Sequence, residues 1–380
     1  MPELTADPGS EGQSSYRDVF AISEFRAMWT AQTLSLLGNQ LAQVAIAIIA
    51  YDRTHSAFLT ALAYAFTYLP PIIGGPLLSG IADIFPRRGV MIFFDLLRLV
   101  LVCAMAVPGT PFWALCVLIF VTTLAGVPFT AARTALLPDV LPGDRLALGS
   151  AVGNMTDQLS QVIGFTVGAA VVAWAGPRHA LLFDALTFAV SAAVVGAWVS
   201  RRPAPAHTHE DRPSLWSSAR LGARLSLGPP VPRLLVLFGW LSGLYILPEA
   251  LAAPYAHALG KGTVAVGLLM AATPAGTVIG ALVLIRLIPP RRRRMLLGWL
   301  AILACAPLIG TAADPPLPVV LALWAVAGVG STYQIIAAAA FLRQLPDVGR
   351  GAAFGFVTSG LLAAQGLGFL IGGAAAQAFG

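Results

Sequence analysis

Long apolar runs alternate with short clusters of charge, proline and glycine along the whole chain. The runs fall at about Phe25 to Tyr51, Ala57 to Ile84, Val90 to Val107, Pro111 to Ala131, Leu146 to Ala175 and His179 to Val199. After a break, five more follow at about Leu234 to Ala256, Thr263 to Ile288, Met295 to Ala312, Leu317 to Leu342 and Gly351 to Phe379. Each is long enough for a helix to cross a hydrocarbon layer of about 30 Å at ~1.5 Å per residue. The pattern therefore predicts an all-α membrane protein. It divides into a polar tail (1–24), a bundle of six helices (25–200), a solvated linker rich in Pro, Ser and Arg (201–233) and a second bundle of five helices (234–380). The tail lacks a basic start followed by an apolar core and a cleavage site, so a signal peptide is not expected.

Composition narrows the class further. Of 380 residues, 57% are hydrophobic and 11% charged, against about 25% charged in a soluble domain. A water-soluble enzyme, a disordered chain and a secreted disulfide scaffold are excluded on that ground, and Cys103, Cys116 and Cys305 read as packing residues within apolar runs. The net charge of +6 does not point to nucleic acid, because the placement of the charges is what matters here. Alternating sides along the runs puts nineteen of the twenty-two arginines on one side and leaves Arg53, Arg178 and Lys261 on the other, with Arg98 inside a helix. The positive-inside rule makes the arginine-rich side cytoplasmic, with the N-terminus and linker in the cytoplasm and the protein in the cell (inner) membrane.

The halves repeat at an offset of 204 residues. Pro70 corresponds to Pro274, Pro86-Arg87-Arg88 and Met91 to Pro290-Arg291-Arg292 and Met295, and Gly164, Phe165 and Gly168 to Gly368, Phe369 and Gly372. A helix follows Gly176 in the first half and nothing follows Gly380, so a duplicated six-helix unit lacking its twelfth helix is expected: either the reading frame stops early or eleven helices suffice. Two bundles joined by a cytoplasmic linker are the layout of carriers that rock about a central site.

The residues Gly80-Ile81-Ala82-Asp83-Ile84-Phe85-Pro86-Arg87-Arg88 resemble the loop between the second and third helices of the major facilitator superfamily. Phe25-Arg26-Ala27-Met28-Trp29, Leu34 to Gly38 and Ala132-Arg133-Thr134-Ala135-Leu136-Leu137-Pro138 look like its enterobactin-exporter-like and macrolide-exporter-like branch. The resemblance implies two bundles of six helices, a central cavity and export of small organic molecules driven by protons. It also implies that Gly80, Asp83, Arg87 and Arg88 latch the cytoplasmic ends of the bundles when the carrier faces outward; an ordinary charged turn is the alternative. Departures from the family pattern are Ile84 for Arg, Pro86 for Gly, Phe165 for Pro, Ala169 for Gly and Asn39 where this branch often has Asp.

Catalytic chemistry has little to work with. The only Lys is Lys261, on the side away from the arginines, so a phosphate-cradling loop on the cytoplasmic side is ruled out, and the five histidines are scattered. No metal, cofactor or enzymatic activity is expected. Carboxyls inside helices carry the information, since an Asp at the bilayer centre costs about 2.5 to 3.5 kcal/mol on insertion scales. Asp157, Glu249 and Asp184 are the candidates for proton coupling. Asp157 comes first by its midplane depth, and its alternative is a helix-to-helix hydrogen bond. Glu249 is read as an outer-gate acid or a solvated vestibule acid, and Asp184 more readily as a helix-start acid near interfacial water. Asn39, Gln43 and Gln161 are the polar candidates for the substrate cavity, with interhelical bonding as the alternative. Gly164, Gly168, Gly368 and Gly372 are read as close-packing positions. Asp95 and Arg98, three apart, should pair along one face while the Arg snorkels to the inner surface.

The function expected is a proton-coupled secondary transporter expelling a small amphipathic compound, a drug, siderophore or secondary metabolite. The alternatives are an importer of the same fold or a non-transporting membrane scaffold or sensor. Expected partners are the small-molecule substrate, protons and the lipid bilayer, with no nucleic acid, and a monomer is expected.

Overall fold

The computed structural model describes residues 15–78, 80–203, 215–346 and 349–379; most of the tail, part of the linker and Gly380 lie outside these. Among the described residues, eleven helical segments are long and apolar enough to span a membrane. They are α1 (Ser23–Thr54), α2 (Ala57–Gly75), α3 (Arg87–Ala106), α4 (Phe112–Val140), α5 (Asp144–Ala175), α6 (Pro177–Trp198), α7 (Pro230–Ala258), α8 (Thr263–Leu287), α9 (Pro290–Ala313), α10 (Leu317–Gln344) and α11 (Arg350–Ala378). Each coincides with an expected run, so the all-α architecture of two bundles stands.

Local chemistry sets the helix ends. His55 takes the left-handed conformation that closes α1, and the Ser56 hydroxyl accepts the Leu59 N–H at 3.2 Å to begin α2. Gly176, at φ 86°, ends α5, and Pro177 starts α6, where its missing N–H costs nothing.

Two expectations are corrected. The linker is not wholly irregular: Leu215–Leu227 forms a helix that packs on α11, Gly222 meeting Ala352 and Phe356, and α7 already begins at Pro230. A glycine and the small Ser226 on one face let this helix lie against the bundle. The second apolar run is also not one helix. Two prolines in sequence, Pro70 and Pro71, supply no N–H, so α2 breaks after Ala65 and resumes at Pro70.

The repeat is visible in the packing. A Cβ on Gly164 would lie 2.6 Å from Cβ of Gln40, and one on Gly168 would lie 3.0 Å from Cα of Leu41, so α5 closes on α1 through glycine. In the second bundle Gly368 meets the Gly243 backbone and Gly372 the Leu247 side chain, which closes α11 on α7 in the same way. The bundles also meet each other by equivalent contacts. Gly267 of α8 faces Phe165 and Ala169 of α5, and Gly373 of α11 faces Phe58 and Ala61 of α2. Phe165 and Ala169, which depart from the family pattern, thus lie at the junction between bundles.

Exposed tryptophans ring both ends: Trp113 and Trp174 at one, Trp198 and Trp299 at the other. Side chains of this kind sit at membrane interfaces, with the polar edge of the ring in the headgroups.

Candidate functional site

A cavity of about 860 Å³ lies between the bundles. Its lining runs from Arg133, Ala135 and Phe354, near the arginine-rich ends of α4 and α11, to Ile119, two turns into α4 from its other end, and Met105, in the last turn of α3. At the ends of α1, α2, α7 and α11 away from the arginines the bundles are in contact. Ser56 Oγ donates to Gln377 Oε1 at 2.8 Å, the Tyr51 and His257 rings meet edge to face at 5.3 Å, and Tyr64 packs on Phe369 at 5.1 Å. The hydrogen bonds that join Ser56 to Gln377, and Tyr64 and Tyr68 to Glu249, cross between the bundles in this sealed half. The cavity therefore opens toward the arginine-rich end and is closed at the other.

Its walls differ. The first bundle contributes Gln32, Asn39 and Gln43 together with Arg98, Arg133, Asp157 and Asp184. α11 contributes Phe354, Gly355, Thr358, Ser359 and Leu362, with no charge.

At the floor, Arg98 is 6% exposed and does not snorkel. Its Nη2 donates to Asn39 Oδ1 at 2.8 Å, its Nη1 lies 3.7 Å from Asp95 Oδ1, and its guanidinium stacks 3.9 Å above the Phe188 ring. Those partners come from α1, α3 and α6, and together they outweigh the path to the surface. Ser191 Oγ donates to the second Asp95 oxygen at 2.5 Å. Asp184 is 2% exposed, packed against Gly38 of α1, and lies within electrostatic reach of Arg98. The reading of Asp184 as a helix-start acid near water is thereby overturned: α1 covers it because glycine at 38 leaves the room. Two carboxyls share one arginine here.

Nearer the mouth, Arg133 Nη1 donates to Gln32 Oε1 at 2.5 Å, and Gln32 Nε2 donates to Asp157 Oδ1 at 2.9 Å. Asp157 lines the cavity with a cation held close to it. Gln161, one turn on, is absent from the lining, because there α5 is already closing on α1 and α8.

Glu249 is also absent from the cavity lining and is 6% exposed, which removes the solvated-vestibule reading. It lies in the first turn of the helical piece starting at Leu247, after a break in α7 at Ile246, and faces the break in α2. Tyr64 Oη lies 3.1 Å from Glu249 Oε2 and also 3.1 Å from Gln43 Oε1, and Tyr68 Oη lies 3.5 Å from the same Glu249 oxygen. Gln43 itself lines the cavity.

In the loop motif, Gly80 precedes the short helix Ile81–Ile84 that carries Asp83. Arg87 donates to Asp139 Oδ2 at 2.7 Å and to the Ala135 carbonyl at 2.8 Å, while Arg88 donates to the Gly196 carbonyl at the end of α6. In this arrangement both arginines hold partners within the first bundle. Among the described residues, no group of three His, Cys, Asp or Glu could hold a metal ion, and all three cysteines are free.

The sequence profile of the Major Facilitator Superfamily matches residues 28–314. The chain belongs to the Major Facilitator Superfamily. Relatives of this family member include macrolide efflux protein A of Streptococcus pyogenes, 24% identical over 150 residues, a match covering 38% of this chain and 37% of that protein. The matched stretch thus spans little more than a third of that relative's length. An uncharacterized MFS-type transporter of Sinorhizobium fredii is 27% identical over 309 residues, covering 78% of this chain and 74% of that protein. Among solved structures, the nucleoside transporter NupG superposes with a TM-score of 0.71 at 14% identity, over 94% of this chain and 91% of that one. A POT family transporter in complex with 5-aminolevulinic acid gives 0.69 at 11% identity, over 96% of each chain. At such identities the likeness is one of fold.

Sequence reasoning missed the part played by Arg98, Arg133, Gln32, Tyr64 and Tyr68. The missed signal was present for the tyrosines: polar rings within an otherwise apolar helix, beside a Pro-Pro pair.

Proposed function

We propose that the chain is a secondary active transporter that expels a small amphipathic organic compound, a drug, siderophore or secondary metabolite, in exchange for protons. The observation that carries this reading is a cavity open at one end only, with ionisable groups on one wall and apolar and hydroxyl groups on the other. An amphipathic molecule meets both walls by turning its polar end to Asn39, Arg98 and Asp157 and its apolar end to Phe354 and Leu362. The charge pattern puts the open end in the cytoplasm, so this is the loading state of a monomer in the cytoplasmic membrane. Rocking of the bundles then exposes the cavity on the other side.

Charge balance selects the coupling carboxyl. Asp157 is matched by Arg133, whereas Asp95 and Asp184 have one arginine between them. One of these two acids is in excess, and Asp184 is the one that lines the cavity. A ligand cation, or a donor taken up by Asp184, competes with a proton there, and that competition is reciprocal.

Everted proteoliposomes with an acidic interior, loaded from outside with erythromycin or ethidium as probes, test this. Proton-driven accumulation is expected, and Asp184→Asn should abolish it while leaving downhill exchange intact. Accumulation that ignores the gradient, or survives in Asp184→Asn, overturns the reading; loss in Asp157→Asn alone moves coupling to the mouth of the cavity.

A further inference from the structure

Tyr64 has one hydroxyl hydrogen and two acceptors at equal distance. Gln43 Oε1 in α1 and Glu249 Oε2 in α7 each lie 3.1 Å from its oxygen, and the ring itself is fully buried. A carboxylate and an amide oxygen both accept, so while Glu249 is ionised Tyr64 cannot serve both, and whenever it serves Gln43 the carboxylate keeps only the longer contact from Tyr68 at 3.5 Å. With a proton on Glu249 the shortage disappears: the carboxyl O–H donates to Tyr64 and Tyr64 donates to Gln43. The same three residues join different parts of the molecule. Gln43 lines the cavity, Tyr64 sits in the seam between bundles, and Glu249 belongs to the opposite bundle.

We propose that Gln43, Tyr64 and Glu249 form a relay through which occupancy of the cavity at Gln43 and a proton on Glu249 exclude one another. A ligand hydrogen-bond donor at Gln43 Oε1 takes over the acceptor that Tyr64 was serving. Tyr64 then turns its hydrogen to Glu249 Oε2, where Tyr68 also donates, and the carboxylate form is stabilised. The carboxyl proton is handed to the Tyr64 hydroxyl, which releases its own hydrogen to water beside Gln43 in the cavity, and the bonding pair stays on Glu249. A proton returning to Glu249 reverses each bond and strengthens the Tyr64 to Gln43 contact against the ligand. This linkage rests on the antiport reading above and adds to it a second coupling point, outside the cavity and on the other bundle.

The titratable groups facing Glu249 are Tyr64 and Tyr68 of α2 and Tyr245 of its own helix; α1 presents the neutral Gln43 and α11 presents Phe369. None of the ion pairs found among the described residues involves Glu249. Further along the seal, His257, two turns on in α7, and His55 at the end of α1 both pack against Tyr51.

The test is infrared spectroscopy of the full chain in lipid at neutral pH, without ligand. The protonated-carboxyl band of Glu249 is identified by its loss in Glu249→Gln. Gln43→Leu removes the competing acceptor and should lower the ratio of protonated to ionised Glu249 about tenfold, the worth of one hydrogen bond to a charged group. Gln43→Met serves if the Leu variant does not fold. Tyr64→Phe should raise the ratio by a similar factor and make the band indifferent to Gln43→Leu. His257→Gln should leave it unchanged. A Glu249 band that does not respond to either Gln43 variant, or that responds equally with Phe at 64, overturns the relay. Because no transport is measured, that result leaves coupling at Asp184 standing, and a failure of proton-driven accumulation leaves the infrared result standing.

Discussion

Arg98→Leu is the substitution with the largest expected effect on stability. Three interactions end in its guanidinium: the 2.8 Å bond to Asn39, the ion pair with Asp95 at 3.7 Å and the stack on Phe188 at 3.9 Å. Removing one partner of a buried ion pair costs about 3 to 5 kcal/mol, because the remaining charge stays buried without compensation. The pieces agree with that range, since a hydrogen bond from a charged donor is worth about 1.5 to 3 kcal/mol and a desolvated cation–π contact about 2. Here two carboxyls, Asp95 and Asp184, lose their common base, so the upper part of the range is expected. The double variant Arg98→Leu/Asp95→Leu restores the original excess of one acid and should recover at least about 1 to 2 kcal/mol relative to additivity. The assay is unfolding by SDS in mixed micelles, followed by circular dichroism, for the wild type, both single variants and the double. A cost below about 1 kcal/mol for Arg98→Leu, or strict additivity of the pair, would falsify the buried cluster.

Three further outcomes are expected. Gly267→Leu places a side chain where Phe165 O would lie 2.7 Å from its Cβ, so it should pry α5 from α8; a cysteine at Ser56 should then react faster with an impermeant maleimide, and unchanged reactivity counts against the seal. Replacing Arg87 by Ala should change stability by less than about 1 kcal/mol in the same SDS unfolding assay, since its pair with Asp139 is 23% and 44% exposed. In intact cells, a cysteine at Lys261 should be labelled from outside, whereas one at Arg292 or in the linker at Ser214 should need permeabilisation; the reverse pattern overturns the sidedness.

The fold was legible because its determinants are local or periodic. Each helix is marked by an unbroken apolar run, each boundary by a residue such as His55, Gly176 or Pro177 that ends or begins a helix through its own backbone. The offset of 204 residues worked for the same reason: Gly164 and Gly168 on α5, and Gly368 and Gly372 on α11, solve one packing problem twice. What the runs could not convey was interruption. The break in α2 lies within continuous apolar sequence, marked by Pro70 and Pro71, and it is this break that sets Tyr64 and Tyr68 against Glu249.

The site was less legible because depth within a helix is a local quantity and charge compensation is not. Asp157, first by depth, meets Arg133 through Gln32, a contact across 101 residues followed by one across 125. Asp184, placed lower by its distance from the helix end, is covered because position 38 is glycine, and it has only a share of Arg98. Helical spacing correctly paired Asp95 with Arg98 but offers the arginine two directions, and only Asn39 and Phe188, from other helices, turn it inward. The two places where acid exceeds base, the Asp95/Asp184 floor and Glu249 at the seal, lie in different bundles. In the antiport proposed above, an excess acid on each bundle lets both sides of the moving interface respond to protonation.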